Sequence, residues 1–142
     1  MTRGRLRGDD GNALIEFSYL AVLLMVPLVY VLLSVFEVQR ASFGVTEAAR
    51  QAGRAYATAD DPAQGRARAA AAAELAMRDQ GLDCGGCLTG LTGSLQADAR
   101  VVVTVEHLVR LPLLGPVLGS DRGGIPVDAT HVEVVDRFRV AR

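Results

Sequence analysis

The first feature of the chain is a run of apolar positions from Phe17 to Phe36 with no charged side chain in it. At 1.5 Å rise per residue such a run matches the roughly 30 Å hydrocarbon thickness of a bilayer, so it predicts a transmembrane helix. Pro27 falls in its middle, removing one backbone donor and crowding the carbonyl four residues earlier, which predicts a kink between Leu23 and Pro27. Past Phe36 the apolar positions thin out to Val38, Ala41, Val45, Ala48, Ala52 and Tyr56, recurring at three- and four-residue steps. Arg40, Glu47, Arg50, Gln51 and Arg54 fall largely elsewhere on the wheel, so the helix continues as an amphipathic extension with a charged, solvated face. Glu47 and Arg50 are spaced as same-face neighbours.

A polar break, Thr58-Ala59-Asp60-Asp61-Pro62, places Asp61 as N-cap and Pro62 at the first position of a second, alanine-rich helix that stops at Gly81. Two helices with a short polar break predict a hairpin, with Leu75, Met77 and the alanines supplying its contacts. From Asp98 onward the period changes to two. Ala99 to Arg110 and Ile125 to Val140 are valine-rich and partly alternating, which reads as two antiparallel strands packed on the second helix. A two-stranded sheet is marginal alone, so a third strand is expected from Thr89–Gln96 or from a partner. The connection between the strands is too long for a tight turn, and its apolar half, Leu111 to Leu118, is expected to cover a core edge or form an exposed contact patch. The fold class is therefore α+β: a long amino-terminal helix, a second helix, then a small antiparallel sheet. Residues 1–11 are a polar, glycine-rich amino-terminal stretch, 12–58 the membrane helix (about 17–36) with its extension, and 59–142 a globular domain.

Composition adds limits. With 142 residues, half of them hydrophobic, there is room for one small domain beside the membrane segment. All 15 basic residues are arginine against 16 acids, a formal charge of -1, without the basic face that nucleic-acid binding requires. Arg3, Arg5 and Arg7 lie before the apolar run and Arg40, Arg50 and Arg54 after it, so the positive-inside count is a tie; the short basic tail resembles the leading region of an exported protein and tips the amino terminus to the cytoplasm. A conventional secretory signal fits poorly, because the apolar run exceeds the usual length and no A-x-A-like site follows it.

The candidate chemistry is sparse. Cys84-Gly85-Gly86-Cys87 suits a thiol-disulfide motif, half a zinc site or a small disulfide. A redox motif belongs at a helix start after a strand, whereas this one follows a helix; zinc needs two more ligands, for which only His107 and His131 are present. A local disulfide is the default for an exported domain. No phosphate loop, nucleophile elbow or histidine near a candidate nucleophile occurs, so no enzyme activity and no cofactor are expected.

Gly11, then Asn12-Ala13-Leu14-Ile15, then Glu16-Phe17 and the apolar helix resembles a type IV prepilin-like site in the G-x-x-x-x-E-[YF] form of the Flp and Tad systems. Phe36-Glu37-Val38-Gln39-Arg40, followed by Thr46 to Tyr56 (T-E-A-A-R-Q-A-G-R-A-Y), resembles the TadE-like family, small pilin-like components of the tight-adherence pilus machinery. The resemblance covers about the first 60 residues closely and the remainder in general layout. It implies cleavage after Gly11 by a prepilin peptidase, and as partners other Tad pilus or pseudopilin subunits, the inner-membrane platform and membrane lipid. The carboxyl-terminal domain would then lie outside the cytoplasm. Independently of the family, such a cut creates an amino group on Asn12 one helical turn from Glu16, and a carboxylate in apolar surroundings calls for a cation in its own subunit or a neighbour. The alternative for Glu16 is a carboxylate that snorkels into the headgroups. Two other classes remain open at this level: an uncleaved anchored accessory protein of an export apparatus, and a membrane-tethered thiol or metal protein using Cys84 and Cys87.

Overall fold

The computed structural model describes residues 10–110 and 124–138, with the side chains of residues 10–12 outside the description. Residues 1–9, most of the expected 1–11 leader, and the apolar Leu111–Leu118 segment lie outside the described residues. Five elements follow in order: α1 Asp10–Ala57, α2 Pro62–Asp79, β1 Leu88–Thr92, β2 Arg100–Arg110 and β3 Gly124–Val134. The fold is α+β, with a three-stranded antiparallel sheet in the order β1-β2-β3. By compactness the chain divides into residues 1–35 and residues 36–142.

In the first unit α1 runs unbroken through Pro27 and its apolar side chains are uncovered, from Leu14 to Val35. In the second, α1 and α2 form an antiparallel hairpin. Gly44 lies against Met77, Gln80 and Leu82, while twelve residues further on Tyr56 lies against Gly65. The buried stripe of α1 is Ala41, Val45, Ala48, Ala49, Ala52 and Tyr56; that of α2 is Ala69, Ala73, Ala76 and Met77. Small residues on both stripes let the backbones approach closely. Leu75 does not supply a contact as the sequence suggests: it is 56% exposed, because the alanine stripe occupies the inward face.

Local chemistry sets the ends of α2. The Asp61 carboxylate accepts from the Ala63 and Gln64 amides at 2.8 and 3.3 Å, satisfying donors that the first turn leaves free. At the other end Gly81 adopts φ +68, Leu82 N–H donates to the Met77 carbonyl at 3.0 Å and Gly81 N–H to the Arg78 carbonyl at 2.8 Å. These are the two bonds of a Schellman motif.

The sheet buries Val101, Val103, Val105 and Val109 on one face. The β2–β3 pair rests on α1 rather than on α2: a Cβ on Gly53 would stand 3.2 Å from the His131 ring, 3.3 Å from Glu133 Cβ and 3.8 Å from Val103. The strand that meets α2 is β1. The third strand comes from the chain itself, at Leu88–Thr92, with a register shift between Leu88 and Gly90. β3 ends at Val134, and the chain is then tied back by paired backbone bonds between Val135 and the Asp98–Ala99 turn, with Val135 fully buried.

Candidate functional site: the amino-terminal helix and the groove beside Arg40

α1 is long and apolar enough to cross a membrane, with a mean hydropathy of 2.5 in its most apolar window and none of that window buried. A Leu, Val and Phe surface this bare is costly in water and matched to lipid, at about 25 cal/mol per Å² of apolar area. Glu16 and Phe17 both lie on its exposed surface near the start, Phe17 at 70% exposure. Gly11 and Asn12 fall in the first turn of α1, where backbone N–H groups have no intrahelical partner, and helical spacing sets Glu16 one turn from Asn12.

The polar side chains of the span are not scattered. Taking 100° per residue, Tyr19, Pro27, Tyr30 and Ser34 all fall within about 60° of Glu16, together with Leu20 and Leu23. The Ser34 hydroxyl donates to the Tyr30 carbonyl at 2.9 Å, whereas the Tyr30 hydroxyl is buried without a hydrogen-bond partner. Ser18 lies on the other side and satisfies itself on the Leu14 carbonyl at 2.8 Å.

Beyond the apolar run, Arg40 forms a 2.5 Å ion pair with Glu37. Glu47 accepts from Gln51 Nε2 at 2.6 Å rather than pairing with Arg50. Cys84 and Cys87 are joined by a disulfide, with Cα atoms 4.8 Å apart. The disulfide borders an open groove of about 750 Å³, lined also by Arg40, Glu106, His107 and Arg110. His107 thus shares a groove with the two cysteines. His131 is elsewhere, bonded to Glu133 at 3.1 Å beneath Gly53. Among the described residues no group of three or more His, Cys, Asp or Glu side chains is assembled to hold a metal ion. The sequence reading does not find the groove, because residues 37–40, 81–87, 106–110 and 126–128 meet only through the tertiary fold.

Comparison with protein-family models, curated proteins and solved structures finds no match to this chain.

Proposed function

We propose that this chain is a TadE-like minor pilin or pseudopilin, a structural subunit that is inserted in the membrane, cleaved after Gly11 and assembled through α1 with other subunits of a Tad/Flp-type pilus machinery. In this reading the amino end faces the cytoplasm, the α+β unit lies outside, and the partners are a prepilin peptidase, neighbouring pilin-like subunits and the inner-membrane platform.

The observation that carries the reading is the makeup of α1. A single helix places Glu16 at the mouth of its apolar run, presents an uncovered apolar surface for the length of a bilayer, and then supplies Val45, Ala48, Ala52 and Tyr56 to a folded core. An anchor alone needs only the apolar run. The polar stripe of Glu16, Tyr30 and Ser34 adds a reason for protein contact within the membrane, since polar groups in lipid face other helices or water.

Two measurements test it together. The intact mass of protein extracted from membranes should lack residues 1–11, and a reporter active only outside the cytoplasm should work when fused after Arg142. A full-length mass would replace this reading with an uncleaved anchored accessory protein. A reporter active only in the cytoplasm would refute both.

A further inference from the structure

Main-chain direction fixes which groups of β3 are free. Val135 N–H donates to the Ala99 carbonyl at 2.9 Å, and Glu106 N–H donates to the Cys87 carbonyl at 2.8 Å. The first bond turns the main chain of Val135 toward β2; the second turns that of Glu106 toward β1. Successive residues of a strand present their N–H and C=O groups to alternate edges, and β3 pairs with β2 without a register shift from Gly124 to Val134. Both bonds therefore give the same assignment. Ile125, Val127, Ala129, His131 and Glu133 direct their main-chain groups at β2, while Pro126, Asp128, Thr130, Val132 and Val134 direct theirs away from it. Among the described residues no strand pairs with β3 on that side.

The two edges of the sheet differ. β1 is five residues long and carries a register shift, which blunts it as a template for further pairing. β3 is 11 residues long. Pro126 has no N–H to offer, so the free edge is residues 128–134, with donor and acceptor alternating at Asp128, Thr130, Val132 and Val134. The side chains of these residues share the face of the sheet turned away from α1, because His131 and Glu133 lie on the other face against Gly53. On the free face Val132 is 51% and Val134 54% exposed, beside half-buried Val102, and the Thr130 and Thr104 hydroxyls are bonded at 3.2 Å. The edge supplies backbone bonds, and the valines beside it offer a shelf for every other side chain of a strand that lies there.

We propose that residues 128–134 are a docking edge for an extended segment of another polypeptide, which adds a fourth strand to the sheet and sets apolar side chains at alternate positions beside Val132 and Val134. Donors and acceptors alternating along an open edge match an extended backbone, and the exposed valines select the alternate residues. A second copy of β3 fits poorly. Antiparallel pairing over the whole free run sets His131 opposite His131 and Asp128 opposite Val134, and neither pair is complementary. Every residue involved belongs to the compact unit of residues 36–142, so the edge is the same whether or not α1 crosses a membrane.

The probe is a synthetic peptide matching residues 128–134 in length, alternating valine and threonine from a valine at each end, and N-methylated at every threonine so that only one of its edges can pair. Amide exchange of the full-length protein in detergent is read residue by residue with and without it. At millimolar peptide the amides of Thr130, Val132 and Val134 should slow by about tenfold or more, while those of Ala129, His131 and Glu133, already bonded to β2, should not change. The same peptide methylated at its valines instead should have no effect. Val132→Pro removes an edge donor and no bond to β2, as Pro126 already does. Exchange at Val101, Val103 and Val105 should then be retained, and protection of Thr130 and Val134 by the peptide lost. No slowing at millimolar peptide, or equal slowing with the valine-methylated control, overturns the proposal even if Val132→Pro fails to fold. Slowing of the same three amides with protein concentration alone makes the occupant a second copy and overturns the choice of partner.

Discussion

Among the described residues, Tyr56 is the one aromatic side chain fully withdrawn from water in the compact unit, at 1% exposure. An added Cβ on Gly65 would stand 2.9 and 3.1 Å from the Tyr56 ring, and 3.2 Å from Ala59 Cβ. The Tyr56 hydroxyl reaches the Gly93 carbonyl only at 3.4 Å. The ring, not the hydroxyl, is what the fold uses. Tyr56→Ala should therefore cost about 3–5 kcal/mol, a large part of the roughly 5–15 kcal/mol that holds a domain together. Tyr56→Phe should cost about 0.5 kcal/mol or less, since the bond it removes is long. Gly65→Ala sets two effects against each other: overpacking against the ring, about 1–3 kcal/mol, and a helix-propensity gain of about 1 kcal/mol. In the native background the net is a loss of up to about 2 kcal/mol; with Tyr56→Ala the ring contacts are gone and only the 3.2 Å approach to Ala59 remains, so the net moves toward a gain of up to about 1 kcal/mol. The assay is urea unfolding of the full chain in detergent, read by amide exchange at Val101–Val105, which reports the core rather than the apolar part of α1. An equal effect of Gly65→Ala in both backgrounds would refute the packing argument. A Tyr56→Phe cost equal to that of Tyr56→Ala would transfer the role to the hydroxyl.

Replacing both Cys84 and Cys87 by serine should leave the domain folded and cost about 2 kcal/mol, the chain-entropy value for so short a loop; thiol alkylation with and without reductant, with unfolding midpoints, checks it. Gly93→Ala should be far more damaging, about 3 kcal/mol or more, because Gly93 holds φ +127 and an added Cβ would stand 2.4 Å from the Arg100 carbonyl oxygen; expression and amide exchange of β2 read the loss. On the proposed pilin-like reading, Gly11→Trp should accumulate at full-length mass, because a peptidase cutting there must approach the backbone closely. On the same reading Glu16→Ala should be cut normally yet fail to co-purify with the proposed partner subunits, since an unpaired amine buried in a helical assembly costs roughly 3–5 kcal/mol; normal assembly of that variant would leave Glu16 as a carboxylate that snorkels.

What the sequence disclosed depends on the range of the interaction. The start of α2 was legible because Asp61 and Pro62 act on the backbone next to them, and its end because only a glycine takes φ +68 readily at Gly81. The valine alternation of β2 was equally local. Glu16 with Gly11 is likewise a matter of spacing along one helix. The Arg40 groove was illegible for the opposite reason: its walls come from four separate stretches, and none has a distinctive pattern alone.

The helix faces show why hydrophobicity misleads where backbones approach closely. Leu75 is, with Met77, one of the two large apolar side chains of α2, yet it is exposed, because Ala69, Ala73 and Ala76 with Met77 make the stripe that closes on α1. Gly53, in a solvated segment of α1, reads as a weak point in a helix, costing about 1 kcal/mol against alanine. It is buried, and even a Cβ there would press within 3.2 Å of His131 and 3.3 Å of Glu133. Gly44 repeats the arrangement, with Leu82 filling the space a side chain would take. Ranking the faces by apolar area puts Leu75 inside and leaves Gly53 outside. The packing inverts both, because the limiting quantity in this core is the distance between backbones, and small residues shorten it more than a large one can repay by its own burial.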